Sequence, residues 1–338
     1  MDGIDTDGGA EDADILLTCG KCAYFIADFA TAQMAADDAQ RLVLAGERNW
    51  MVFDLVSLQG LLAHRSGQWF DRMRLELRRT RENPEIANAV FDGSLCSAEF
   101  MLYGPTPYAE VICTARDLQA TAQRSGALRA AAFASALIGE AALLSGDLDL
   151  AAAELSQASE LHHGIGSAAG EALSLQRLAE VHLAEGAAEV ARRLLQDALP
   201  LARGSMLAKH LLHRVFGTMI TAAADEFEAR ATLDRAEATL GWDDARAFCS
   251  ITLSVPASIA CSRAGDLPNA RRLLDLAERS GLLWAGTSWE AGIAEAHAAI
   301  TAASGDPGTT RKWLLTAAEK FRRAGQPLDA QRCRLSAN

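Results

Sequence analysis

The chain has 338 residues, a formal net charge of −12 and a pI near 5.1. That balance argues against nucleic acid as a direct partner, because duplex affinity depends on neutralising phosphates with Lys and Arg. Hydrophobic residues make up 50% of the chain but aromatics only 6%, a composition that favours closely packed helices over a sheet-bearing fold.

Residues 1–13, MDGIDTDGGAEDA, are acidic and Gly-rich, the reverse of a basic, apolar leader, and are expected to be a disordered tail. Residues 14–338 read as one superhelical domain, since no linker long enough to separate two domains interrupts the helical pattern. Ile15–Leu44 is the first helix pair, turning near Ala27. It contains Cys19-Gly20-Lys21-Cys22, a spacing used by redox pairs and half zinc sites. No second C-x-x-C or Cys/His pair stands at a suitable distance, and Cys19 falls in a column shared with Cys96, Ile138, Leu178 and Phe216, so a packing role is expected for it. The second pair opens at Asn49 and turns at Gly67. Its second helix carries Arg72, Arg74, Arg78, Arg79 and Arg81, read as a solvated face or, alternatively, a dock for an acidic partner. Pro84 ends it. The third pair, about residues 85–123, is irregular around Gly104-Pro105-Thr106-Pro107.

The fourth and fifth pairs, from Leu128 to Arg203, are the clearest, turning at Gly146 and Gly186. A loop is expected between them near His162–Ser167. The sixth turns without glycine at Ala224. The seventh contains Pro256 in its first helix, which predicts a kink or a late start. The eighth turns at Gly305, and the residues after Gly325 are expected to form a short capping helix. The longest uncharged helical run, Ala130–Gly139, falls short of the roughly 20 apolar residues that span a bilayer. Seven cysteines, mostly single, suit a reducing compartment. A soluble, cytoplasmic protein is expected, with no membrane partner.

The turn markers recur at intervals of 37 to 42 residues, so internal repetition decides the fold. Seven residues before each marker stand Gly20, Gly60, Ser97, Gly139, Ala179, Gly217, Ser258 and Ala298. Glycine inside a helix costs about 1 kcal/mol relative to alanine, so this column needs a packing reason: another helix crosses there. Five, nine and twelve residues after the marker, Ala, Leu and Ala recur, as in Ala151, Leu155 and Ala158. These offsets lie on one helical face.

A small residue, a turn glycine and an Ala–Leu–Ala second helix resemble the tetratricopeptide repeat (TPR). The period of about 40 exceeds the usual 34 or so and predicts longer helices. Such long-period repeats are similar to the TPR region of MalT-like, LuxR-type ATP-dependent regulators and of related signal-transduction ATPases of actinobacteria. The resemblance implies an all-α fold, a right-handed α-solenoid of about eight TPR-like helix pairs, and a sensing or interaction role in a transcriptional or signalling regulator.

In such solenoids the first helix of each pair lines the concave side. Residues ten, six and three before each marker then give Glu140, Gln176, Glu180, Arg214, Thr218 and Thr221, with Arg263 adjacent. Tyr24, Met101, Phe133 and Trp289 flank them. This set is the candidate binding surface for a protein segment, a peptide or a small effector, with Arg214 as the partner for carboxylate or phosphate. No catalytic residue, cofactor or metal site is expected. Two other readings remain open: an enzyme using Glu140 and Glu180 as paired carboxylates in a closed pocket, and a scaffold that homodimerises through an edge repeat.

Overall fold

A computed structural model describes residues 8–26, 28–45, 51–65, 68–82, 90–92, 94–95, 98, 102–104, 106–205, 207–240, 249–281 and 287–338. Among these there is no strand. The long helices are α1 (Gly8–Phe25), α2 (Phe29–Ala45), α3 (Val52–Arg65), α4 (Trp69–Glu82), α5 (Tyr108–Ser125), α6 (Leu128–Ser145), α7 (Leu148–Gly164) and α8 (Ala168–Ala184). They continue with α9 (Ala188–Gly204), α10 (Ala208–Ala222), α11 (Glu226–Leu240), α12 (Ile251–Arg263), α13 (Leu267–Gly281), α14 (Trp289–Ala303), α15 (Pro307–Arg323) and α16 (Pro327–Ser336). The expected all-α array of helix pairs is what the chain forms.

Two kinds of glycine build it. Gly146, Gly186, Gly265 and Gly305 end the first helix of their pairs with φ between 77° and 88°, a left-handed conformation that costs other residues strain. At Gly146 the amide donates to the Leu143 carbonyl and the Asp147 amide to that of Ala142, the double closure of a Schellman turn. Gly126, Gly166 and Gly325 do the same between pairs, so from Gly126 to Gly186 the chain turns every 20 residues. Where the glycine is missing, at Ala224, the cap is different. Asp225 accepts the Glu228 amide and Glu228 accepts the Ala224 amide, a reciprocal capping pair.

The second kind sits inside helices. A Cβ on Gly20 would meet Leu58 of α3 at 2.6 Å and Ala35 of α2 at 3.1 Å. One on Gly139 would press into Leu155 of α7, and one on Gly217 would overlap the Thr252 carbonyl oxygen of α12. Ser258 holds the same column and donates its hydroxyl to the Ala270 carbonyl of α13 (2.8 Å). The small column exists because neighbouring backbones cross there.

The chain divides into two compact units, residues 1–101 with 117–133, and residues 102–116 with 134–338. One domain was expected over 14–338; the division passes through the interiors of α5 and α6, so no linker marked it in the sequence. In the first unit Glu76 is buried between Arg72 and Arg79, and Arg72 also donates to Gln59. Arg72 and Arg79 of the supposed solvated arginine face therefore turn toward Glu76; Arg78 is exposed, and the side chains of Arg74 and Arg81 lie outside the described residues.

In the second unit α8, α10, α12 and α14 pack in succession, each with the second helix of its pair beside it. The last helix returns to the first. Gln326 donates to the Tyr108 hydroxyl and to Ser288 (both 2.9 Å), and Pro327 and Leu328 lie against the Gly146 turn. The capping helix expected after Gly325 is thus α16. Pro256 lies inside α12, which runs on both sides of it from Ile251 to Arg263.

Some expectations fail. The tail is shorter than 1–13, because α1 begins at Gly8; Glu11 complements its N-terminal dipole and Ala13 is buried. Residues 1–7 lie outside the described residues, as do the markers Ala27 and Gly67. Cys19 and Cys22 are exposed, not packed: Ile138, Leu178 and Phe216 are covered by neighbouring helices, whereas nothing described covers that face of α1. His162 and His163 are in the last turn of α7, not a loop, with the His162 ring pressed on Gly170. Of the third pair, the described residues before Pro107 include helical ones at 90–92, 94–95 and 102, and most of its first helix lies outside the described residues; Pro107, whose ring supplies no amide, caps α5 with its carbonyl. Among the described residues α6 is the one helix long and apolar enough to cross a membrane, and 72% of it is buried within the protein.

Candidate functional site

The polar residues predicted to line the first helices do converge, but around a residue the repeat pattern did not select. Ser167 caps α8, its hydroxyl accepting the Gly170 amide, which sets the helical phase of Gln176, Arg177 and Glu180. Arg177 is the largest side chain that is fully buried, at 2% exposure. Its Nε donates to Glu140 Oε2 of α6 (2.7 Å), its Nη1 to Glu180 Oε2 (2.7 Å) and its Nη2 to the Tyr103 hydroxyl (3.4 Å). Gln176 Nε2 donates to Glu180 Oε1 (2.6 Å) and to Thr218 Oγ1 of α10 (2.8 Å), and Thr218 Oγ1 donates to Glu180 Oε1 (3.1 Å).

One guanidinium thus joins two carboxylates from adjacent pairs, and one carboxylate collects donors from α8 and α10. Burial opposes the charge on Glu180, but Arg177 and Arg214 outweigh it and hold its carboxyl below the usual range. Glu140, Gln176, Arg214 and Thr218 are buried. A buried ion pair of this kind adds little net stability, while removing one member costs about 3–5 kcal/mol. The network therefore specifies an arrangement rather than supplying energy.

Of the predicted set, Glu140, Gln176, Glu180, Thr218 and Arg214 come together. Thr221 does not: it is exposed and donates to the Gly217 carbonyl of its own helix. Arg263 is exposed in the last turn of α12. Of the flanking aromatics, Trp289 packs on Tyr103, ring centroids 5.3 Å apart. Tyr24 and Phe133 belong to the first unit, and Met101 lies outside the described residues. Arg177 had a signal in the sequence. Nine residues before the markers stand Thr18, Leu58, Leu95, Leu137, Val215, Pro256 and Ala296, and Arg177 is the charged residue in that mostly apolar column. Tyr103, in the irregular stretch, had none.

Two polar atoms at the network have no partner in the described structure: Oε1 of Gln176, which is 0% exposed, and the indole nitrogen of Trp289. A separate cleft of about 230 Å³ opens among α10, α11 and α12, lined by Ile220, Leu233 and Cys261. Burial pushes the Cys261 thiol up to about 11, so it is an inert packing group. The five middle histidines do not share a centre. His163 faces Glu171, His182 faces Glu185, and His213 bonds the Lys209 carbonyl.

No family model and no curated relative matches this chain. Solved structures do. A Rap protein complexed with Competence and Sporulation Factor superposes with a TM-score of 0.50, covering 98% of this chain and 97% of that one at 12% identity. The chain has a TPR-like helical-repeat fold. The TPR-like array explains why the network lies where it does. First helices stand side by side, so residues within about one helical turn of the same distance from successive turns meet across them.

Proposed function

We propose that this TPR-like array is a non-enzymatic recognition module. It holds a protein segment, a peptide or a small effector against the network of Glu140, Gln176, Arg177, Glu180 and Arg214. What carries the reading is the unsatisfied amide oxygen of Gln176, which is fully buried among the ion-paired and hydrogen-bonded side chains of the network. Buried polar atoms are paired in native proteins with few exceptions, and an incoming N–H or O–H donor completes this one. The fold neighbour, a Rap protein complexed with Competence and Sporulation Factor, supports a role in binding a signalling factor. The finer reading is that the module is the sensing part of a bacterial transcriptional or signalling regulator, as the resemblance to MalT-like regulators implies.

An enzymatic role for Glu140 and Glu180 is disfavoured by their geometry. Both bind the same guanidinium. A general acid near neutrality needs a raised carboxyl, and Glu180 is moved the other way. Thermal-shift screening of peptide and metabolite pools tests the proposal. A pool raises the melting temperature of the wild type, and the rise is lost in Arg214→Ala and reduced in Gln176→Ala. A rise of equal size in both variants sinks it.

A further inference from the structure

We infer that Tyr103 is an internal occupant of the recognition site, sitting where an aromatic side chain of the incoming peptide segment, tyrosine best of all, takes its place. The inference rests on the recognition reading above.

Tyr103 stands beside Gly104, the turn marker of the third pair. It precedes α5 by only a few residues, yet its side chain reaches Arg177, 74 positions away, and packs on Trp289. It is 7% exposed, so it covers the polar floor that the repeat pattern leaves facing inward. The bond from Arg177 Nη2 is 3.4 Å, long beside the 2.9–3.0 Å typical of N–H···O. In the same network Gln176 Oε1 is buried without a partner, and so is the indole N–H of Trp289, whose ring packs on Tyr103.

The orientation of the Gln176 amide is fixed by its neighbours. A flipped amide would set Oε1 against the Glu180 carboxylate, where the donating Nε2 now sits at 2.6 Å. The orphaned atom is therefore an acceptor that asks for a donor. An extended peptide offers what Tyr103 does not: a main-chain N–H for Gln176, a main-chain carbonyl for the Trp289 indole and an aromatic ring between them. Vacating the seat does not require α5 to move. That helix starts on the Pro107 carbonyl and is pinned by the bond between Gln326 and Tyr108.

The test uses the full chain and fluorescently labelled, acetylated pentapeptide pools with Tyr or Ala fixed at the centre, read by anisotropy. When an internal group holds the site, apparent affinity falls by the open fraction. Tyr103→Ala is accordingly expected to bind the Tyr-centred pool at least about 10-fold more tightly than wild type does, and to prefer it over the Ala-centred pool. Tyr103→Phe, which keeps the ring and loses the hydroxyl, gains about 2–3-fold by the same relation; no gain there overturns the inference even if the alanine variant fails to fold. Equal binding by wild type and Tyr103→Ala, still lost in Arg214→Ala, overturns the role of Tyr103 and leaves the recognition reading standing. Binding of neither pool to any variant removes both. Competition by N-acetyl-tyrosinamide as strong as that of unlabelled peptide overturns the peptide part and assigns the seat to a free aromatic ligand.

Discussion

Arg177 shows how a single side chain organises a site. Its guanidinium is desolvated and forked between Glu140 and Glu180, so the pairing is fixed before any ligand arrives. Glu140→Ala takes one of its two carboxylates from a buried cation and is expected to lower stability by about 3 kcal/mol, read from the urea midpoint. Replacing both members, Glu140→Leu with Arg177→Met, is expected to cost less than Glu140→Ala alone, because the under-paired guanidinium is removed and Glu180 keeps Arg214 beside it. Glu180 adds a pH dependence. Its folded carboxyl lies below the ordinary value of 4.5, so the unfolded chain binds its proton first. That contribution is present above pH 4.5 and is lost as pH falls through the folded value. Glu180→Gln is expected to flatten the acid limb of the stability profile; an unchanged limb contradicts it. Five of the seven predicted residues were legible because their spacing from the turns placed them on one face. Arg177 was passed over because its column is mostly apolar elsewhere, and burial of an arginine depends on acceptors brought from another pair.

At the scale of the helix, two glycine roles give opposite expectations for the same substitution. Gly217→Ala sets a methyl group into the Thr252 carbonyl, a backbone atom that cannot swing aside, and is expected to destabilise by more than about 2 kcal/mol by overpacking. Gly204→Ala meets nothing within 4 Å and needs no positive φ; there the gain in helix propensity is expected to leave stability equal or up to about 1 kcal/mol higher. Denaturant midpoints of the two variants decide it, and equal losses would mean that the small column is not a crossing point. The helices themselves were legible from local rules. The turns between pairs were less so, although Gly126, Gly166 and Gly325 stood at the half period all along.

In the second unit as a whole, the first and last pairs touch through Tyr108, Gly146, Gln326 and Pro327. An open solenoid transmits the loss of a terminal helix only to its neighbours. Here, truncation after Gly325 is expected to speed amide exchange in α5 and at the Gly146 turn, some 200 positions away in sequence, more than in α10. Hydrogen exchange followed by mass spectrometry reads this directly. Protection lost only in α14 and α15 would show that the return contact carries no stability.

Turn glycines, small crossing residues and Ala–Leu–Ala faces all act over distances of three to twenty residues, so the order of residues alone determined the helices, their pairing and the face that meets the next pair. Which residues meet across the array is another matter. Arg177 with Tyr103, and Tyr108 with Gln326, are separated by 74 and 218 positions. Their meeting depends on the small rotation added at every pair and on an irregular stretch that folds inward. No local rule encodes that sum, and only the tertiary structure decided what fills the centre.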